Sequence, residues 1–490
     1  MRLQKGLNKI ISTDQVGYIN GRYMGTNIRT IADVLNHCKN TTNEQALIAM
    51  LDFEKAFDSV KWSFMYQCLK KFNFGSSFIS WVKTIYTDIE SCVTNNGFSS
   101  NFFKLNRGIR QGCCLSALLF IIVAEVLAIN LRCNSSIHGI LIEKHEFKIC
   151  QLADDTMLFL KDICSLKAAL SLLQDFSIIS GLKLNKSKTE VFPININSNL
   201  DESIGISCKK DNFKTLGVWF CSDELEMIQL NLQGKIEEMK NTLNMWNSRN
   251  MTIFGRVMVL KTLVLSKIIN ICSVIHIPDS FIKKVDALFF EFVWGKGKRP
   301  KVKRQTAVND KSRGGIKMIE FKNMVTSLKA MWVKRLLVEN TVNPYVEKWK
   351  ILPFANMGLV DKNLLLHKLD PAFFRECRTK FYRDILDSWF QFFAVAPNSL
   401  DEILHEKLTY NKYITVGGKV IEPTFSVIKR TGITSINQLI HNQAFLSKIN
   451  LEQRYNCRLS DLNFNALISA IPSNWKLKIK MQKFESMLDR

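Results

Sequence analysis

"QLADDTMLFL", Gln151 to Leu160, sets two carboxylates, Asp154 and Asp155, side by side inside an apolar, β-prone run. Adjacent negative charges there repel each other and lose hydration unless something positive sits between them and a further group. Neighbouring residues of a strand point to opposite faces, so the two acids share a cation best at a hairpin turn, where both can lean to one side. The wider stretch "FKICQLADDTMLFL" reads as that hairpin, two β-prone arms with Ala-Asp-Asp between them. A third acid from another strand would complete the set. "ALIAMLDF", Ala46 to Phe53, offers one: a continuous apolar run suited to a buried strand, closed by Asp52. Carboxylates plus substrate phosphates are the ligand set magnesium favours, and paired ions clamp both oxygens of an in-line phosphoryl transfer. Each signal alone is weak, because an Asp-Asp pair is commonly an exposed turn and a lone Asp a strand end or helix cap.

Around these blocks the chain alternates helix and strand. Residues 1–45 read as helix interrupted by a loop at "GYINGRYMGTN", and Lys55 to Lys71 and "FISWVKTIYTDI" read as helices. "SCVTNNGFSSNFFKL" carries the Asn-Gly signal of a hairpin. "CCLSALLFIIVAEVLAINL" contains Glu125 and is marginal in length for a bilayer, so a buried helix is expected. Ser165 to Ser180 is helical, "GLKLNKSKTEVF" is loop then strand, and "FKTLGVWF" is a short strand pair around Gly217. After residue 222 the pattern turns helical: Leu225, Ile228, Leu232, Ile236, Met239, Leu243 and Trp246 predict one apolar helix face. Beyond residue 350 lie aromatic helical patches (Phe373, Phe374, Trp389, Phe390), expected to be core, and a strand-like "YITVGGKVIEP".

Composition narrows the partners. The chain of 490 residues is 47% hydrophobic and carries 67 Lys and Arg against 44 Asp and Glu, a net +23. That is enough apolar material for more than one core, and it argues against a disordered chain. The imbalance points to a polyanion, nucleic acid before an anionic surface; a basic protein kept soluble by its charge is the alternative. Lys296, Lys298, Arg299, Lys301, Lys303 and Arg304 open a basic, glycine-containing stretch running to Lys317, expected to be a solvated arm with salt-sensitive phosphate contacts and Trp294 beside it for stacking. The 13 cysteines show no zinc spacing; Cys150, Cys164 and Cys272 sit in apolar context and are expected to be small buried hydrophobes in a reducing, intracellular compartment, cytoplasm or nucleus.

The order of the blocks carries the most information. "LDFEKAFDSV", "NRGIRQGCCLSALLF", "QLADDTMLF", "GLKLNKSKTEVF" and "FKTLGVWF" resemble, in order and spacing, the reverse transcriptases of LINE-type, non-LTR retrotransposons. "ISTDQVGYINGRYMGTNI" upstream, and "WNSRNMTIFGRVMVLKTLVLSKI", "FFEFVWGKGKRPKVKRQTAVNDKSRGGIKM" and "AIPSNWK" downstream, extend the resemblance over nearly the whole chain. It implies an α+β, right-hand polymerase fold of fingers and palm (1–222), a helical thumb with the basic stretch (223–350) and a mostly helical C-terminal region (351–490). It implies that Asp52, Asp154 and Asp155 bind two Mg²⁺ or Mn²⁺ ions, with the Phe53 carbonyl beside them. Phe57 matches the residue that excludes a ribose 2′-hydroxyl, and packing alone is its compatible alternative. Gln111 and Gly112 match the turn that in this family lies under the nucleotide and template base, and the resemblance turns Arg110 and Arg22 toward nucleic acid. Lys188 protonates pyrophosphate or holds a phosphate, unless it is a plain loop lysine; Gly217 lies in the turn that positions the primer end.

The partners so implied are an RNA template, a DNA primer and dNTPs, with no membrane. Four departures qualify the resemblance. Leu152 replaces the aromatic residue before Ala-Asp-Asp, and Cys114 and Ala117 replace two prolines. A finger strand with a triphosphate-gripping arginine, and the flanking endonuclease and Cys/His knuckle, have no counterpart. A truncated copy that polymerises weakly or not at all is therefore expected. The competing readings are a non-enzymatic nucleic-acid-binding remnant of the same fold and another palm polymerase, such as a maturase or an RNA-copying enzyme; Phe57 argues against the latter.

Overall fold

The computed structural model describes residues 2–41, 45–196, 205–295, 302–338, 347–357, 365, 377, 379–392, 397, 399–441 and 444–479. Its organising element is a five-stranded sheet. In chain order the strands are β1 (Ala46–Leu51), β2 (Ile149–Leu152), β3 (Asp155–Leu160), β4 (Glu190–Ile194) and β5 (Ser207–Cys208). In space they run β5-β4-β1-β3-β2, with every pairing antiparallel except β4 with β5. The apolar run "ALIAML" becomes the central strand because five of its six residues are buried, the signature of a strand covered on both faces.

Helices pack about this sheet. The first two, α1 (Arg2–Ile10) and α2 (Met24–Asn40), flank the loop expected there. The greasy segment is α3 (Ser116–Cys133), buried nearly all round, and α4 (Ile163–Ser180) shares its core cluster. The Asn-Gly hairpin forms with Asn96 and Gly97 both at positive φ and Asn95 paired with Phe98. The strand pair at Gly217 forms likewise, β6 (Asn212–Thr215) against β7 (Val218–Cys221) across Leu216 and Gly217, both at positive φ.

Three expectations are corrected. The single apolar face after residue 222 is two helices, α5 (Glu224–Leu232) and α6 (Lys235–Asn247), because Gly234 sits at φ +71 and ends the run; Leu225 is left exposed. The basic arm is partly folded: its described end forms α7 (Arg304–Val308), and Ile316 and Met318 donate back to the Ala307 carbonyl. Buried Ala307 and Met318 give that loop an apolar side, and Gly315 makes it possible, since a Cβ there would lie 2.0 Å from the Asn309 carbonyl oxygen. Cys150 and Cys272 are buried as expected, but Cys164, in the first turn of α4, is exposed.

Contacts divide the chain into two compact units, Met1–Met318 with Glu339–Pro353, and Ile319–Val338 with Phe354–Arg490. In the second unit α8 (Phe321–Leu337) packs on α9 (Lys380–Phe392), Trp332 meeting Phe381 edge to face at 5.8 Å. Phe390 is buried and the Trp389 indole donates to the Leu365 carbonyl, as core residues do; Phe373 and Phe374 lie outside the described residues. The predicted strand-like piece is the hairpin Thr415–Val416 with Lys419–Val420.

Behind the sheet, in the first unit, lies a buried ionic cluster. Arg132 donates to Glu125 at 2.5 Å and to Asp14 at 3.0 Å, and Ser12 bridges to Glu125 at 3.2 Å. Burial pushes the carboxyls of both acids up, against the pull of the guanidinium. Removing Arg132 would leave both buried acids without their ion-paired guanidinium. Arg132→Met is expected to cost about 3–5 kcal/mol, read as a fall in the urea midpoint at unchanged m-value.

Candidate active site

Strand register assembles the acids. Leu51 at the end of β1 pairs with Thr156 of β3, so one step further Asp52 comes across from Asp155. Asp154 precedes it in a two-residue turn, Ala153–Asp154, closed by the Leu152–Asp155 pair. The hairpin expected from "ADD" is therefore present, with Ala153 at φ +57. A residue with a Cβ is disfavoured there by about 1–2 kcal/mol. Asp154 is half-buried and Asp155 exposed. Lost hydration first, and then the charges of Asp154 and Asp52, hold the Asp155 carboxyl above the usual range. Among the described residues no three acids, histidines or cysteines stand in closed metal-binding geometry, so the acids converge without forming a ready cage.

The loop before β4 is fastened to Asp52. The Asp52 carbonyl accepts from Asn185 N–H at 2.8 Å, its N–H reaches Thr189 Oγ1 at 3.3 Å, and Glu54 N–H donates to the Lys183 carbonyl at 2.9 Å. Phe53 bridges Leu184 in this ladder, and the bonds fall on its neighbours, not on its own carbonyl. Lys188 stands exposed on the turn of the same loop. Asn185 and Thr189 were not singled out in the sequence, because a loop asparagine and a strand-edge threonine carry no signal until their partners are known.

Phe57 follows through the short helix Ala56–Ser59. Its ring lies flat on Phe120 of α3, centroids 4.2 Å apart and planes 16° apart. Its carbonyl accepts from Ile109 N–H at 2.7 Å, which brings the "RQG" segment alongside. Gly108 is at φ +97 and a Cβ there would lie 2.8 Å from the Asp58 carbonyl, so this close approach needs glycine. Phe57, Arg110, Gln111 and Gly112 then line one cleft of about 810 Å³, with Cys114 and Ala117 on its wall. Gly112, at φ +82, has open space where a side chain would be. Arg22 borders the cleft, but its guanidinium is committed elsewhere: it donates to the carbonyls of Ser12, Gln15 (2.5 Å) and Ile11 (2.7 Å). Its donors hold a loop and are not presented to a ligand.

Comparison with known proteins is specific. The family described as Reverse transcriptase (RNA-dependent DNA polymerase) matches residues 1–220. The Transposon TX1 uncharacterized 149 kDa protein of Xenopus laevis is 26% identical over 430 residues, 84% of this chain and 32% of its own. The Retrovirus-related Pol polyprotein from type-2 retrotransposable element R2DM of Drosophila melanogaster is 32% identical over 159 residues, 32% of this chain and 15% of its own. Residues 1–220 thus match the reverse transcriptase family, and both relatives are proteins of transposable elements. The chain spans about a third of the length of the first relative and less of the second. A solved structure, apo telomerase from Candida tropicalis, aligns over 72% of this chain and 60% of its own at 12% identity and TM-score 0.38.

The five-stranded sheet with its flanking helices makes this part of the chain α+β. The β6–β7 hairpin with Gly217 at its tip is tied down from two sides. Asn231 of α5 brackets Trp219, accepting from its N–H at 2.9 Å and donating to its carbonyl at 2.8 Å. Thr215 Oγ1 reaches the Met157 sulfur of β3 at 3.6 Å. Of the basic stretch, Lys296, Lys298, Arg299 and Lys301 lie outside the described residues. Lys303 is exposed, and Arg304 pairs with Asp286 at 3.0 Å while its guanidinium stands 5.7 Å from the Phe290 ring.

The raised Asp155 carboxyl has a measurable sign. Its folded-state value lies above the unfolded one, so its contribution favours folding at pH below the ordinary carboxylate range and is lost as pH rises through the raised value. In EDTA, Asp155→Asn is expected to raise Tm by a few degrees at pH 7, with the gain shrinking toward pH 4.

Proposed function

We propose that this chain is an RNA-directed DNA polymerase core of a non-LTR retrotransposon, joining deoxynucleotides to a DNA 3′-hydroxyl along an RNA template. The observation that carries the reading is the register that sets Asp52 across from Asp155, beside Asp154, at the ends of two paired palm strands. These carboxylate oxygens only accept, burial and then the charges of Asp154 and Asp52 raise the Asp155 carboxyl, and hard divalent cations suit such a group. Asp52, Asp154 and Asp155 would hold two Mg²⁺ or Mn²⁺ ions, with the Phe53 carbonyl as a further donor. Bound there, such ions stabilise charge on the attacking and leaving oxygens.

The chain's own groups supply position and selection. In the reaction the 3′-oxygen forms a bond to the α-phosphorus, the bond to pyrophosphate breaks, and the hydroxyl proton passes to water. Lys188, exposed on the loop fastened to Asp52, is placed to give a proton to the pyrophosphate or to hold a phosphate. The Phe57 ring, held flat by Phe120, closes the space a ribose 2′-hydroxyl would need. Gln111 and Gly112 offer an open turn on the cleft, beside Arg110 for phosphate. Gly217 marks the hairpin tip proposed to meet the primer end, and Lys303 adds charge for the nucleic-acid backbone. An RNA template and 13 cysteines without a disulfide suit a reducing location inside the cell.

Leu152 in place of an aromatic residue, and acids that do not form a closed cage, favour a second reading, a binding remnant without turnover. Primer extension on RNA with dNTPs and Mg²⁺ separates the two. The polymerase reading expects extension that Asp154→Asn with Asp155→Asn lowers at least about a thousandfold. No extension, with equal salt-sensitive RNA binding by both proteins, would favour the remnant. In an active chain Phe57→Ala is expected to narrow the preference for dNTPs over rNTPs by roughly ten- to hundredfold, measured as the ratio of single-turnover kcat/KM.

A further inference from the structure

The positive φ of Ala153 is matched by one side chain in the loop between α1 and α2. As a turn residue Ala153 has no ladder partner for its N–H or its carbonyl, yet it is buried. Both groups meet the amide of Gln15. Gln15 Oε1 accepts from Ala153 N–H at 2.9 Å, and Nε2 donates to the Ala153 carbonyl at 3.3 Å. The same Oε1 takes Gly17 N–H at 2.8 Å, so loop and turn are tied through one carboxamide that is wholly buried. The contact is close on its other side too: a Cβ at Gly17 would stand 2.5 Å from Ala153 N.

The loop that presents Gln15 is itself fixed. Its backbone runs beside β2, with Val16 N–H on the Gln151 carbonyl at 2.9 Å and Gln151 N–H on the Asp14 carbonyl at 2.8 Å. Asn27 adds a bond to the Gln151 carbonyl at 2.8 Å. Arg22 gathers the carbonyls of Ile11, Ser12 and Gln15, and Arg132 holds the Asp14 carboxylate. These groups form a continuous support that ends at the peptide units flanking Ala153.

We propose that Gln15 is a positioning residue for the acids: its amide holds Ala153 in the left-handed turn from which Asp154 and Asp155 are set against Asp52. The proposal rests on the reading of those acids as a divalent-metal site. The chemistry at position 15 is restrictive. Leucine of similar size would leave a buried N–H and a buried carbonyl without partners, glutamate could not donate to the carbonyl, and asparagine is one methylene short. Groups that orient metal ligands through a hydrogen bond commonly control affinity by about ten- to a hundredfold.

The test is Mn²⁺ binding by the full chain, followed by the loss of the free-ion EPR signal, so it does not depend on turnover. Wild type, Gln15→Leu, Gly17→Ala and the Asp154→Asn, Asp155→Asn double variant are compared, with far-UV circular dichroism as the fold check. Wild type is expected to bind more tightly than the double variant, and Gln15→Leu about tenfold more weakly than wild type with the same spectrum. A merely structural glutamine would lower Tm and leave Mn²⁺ affinity unchanged, and that result overturns the proposal. If wild type and the double variant bind Mn²⁺ alike, the metal reading itself fails and the proposal goes with it. Should Gln15→Leu not fold, Gly17→Ala reads the same contact by crowding Ala153 while every hydrogen-bonding group stays; unchanged Mn²⁺ affinity there overturns the proposal as well.

Discussion

Mutual repulsion among carboxylates held at the end of a sheet is the constraint around which residues 1–220 are built. Left to themselves, Asp52, Asp154 and Asp155 would separate and hydrate. The β1–β3 register holds them together, and burial, followed by the charges of Asp154 and Asp52, raises the Asp155 carboxyl. A central strand buried on both faces resists slippage, because a one-residue shift would exchange the side chains of its two faces and spoil the packing on each. The apolar core thereby keeps charges in place that would not stay there on their own account.

Polar groups behind the acids complete this arrangement, and they do so mostly through the backbone. Thr189 and Asn185 hold the two peptide groups of Asp52, and the loop of residues 11–17 lies along β2. Arg22 and Arg132, both basic residues in a chain of net charge +23, direct their charge inward to carbonyls and buried acids. Net charge therefore overstates the positive charge presented at the surface. Arg304, bound to Asp286, makes the same point at the end of the basic stretch.

Much of the site was legible beforehand where it rests on local chemistry. Asn96–Gly97 announces its hairpin because two successive positive φ angles favour such residues, Gly217 marks the second, and the Ala-Asp-Asp turn between β-prone arms was readable from pattern. Less legible were features set by a single distant partner. Nothing in "STDQVGY" says that Gln15 will meet Ala153, and nothing at Arg22 says that three carbonyls will claim its guanidinium. The helix break at Gly234 was visible as a glycine but outweighed by a persistent apolar period. The exposed Cys164 shows the limit of reading burial from apolar neighbours, since the turn of a helix, not its composition, sets which side faces water.

The amino-acid sequence by itself determined the make-up of the candidate site: three acids on β-prone segments, an aromatic residue at position 57, an open glycine turn and the order in which they come. Those properties are local in the chain, and residue type and spacing carry them. Tertiary structure alone decided which acid faces which, that Phe57 rests on Phe120, that Arg22 turns inward, and that α8 joins the second unit. Each of these depends on contacts between residues far apart in sequence. Such contacts arise from strand register and close packing, which no short stretch of sequence specifies.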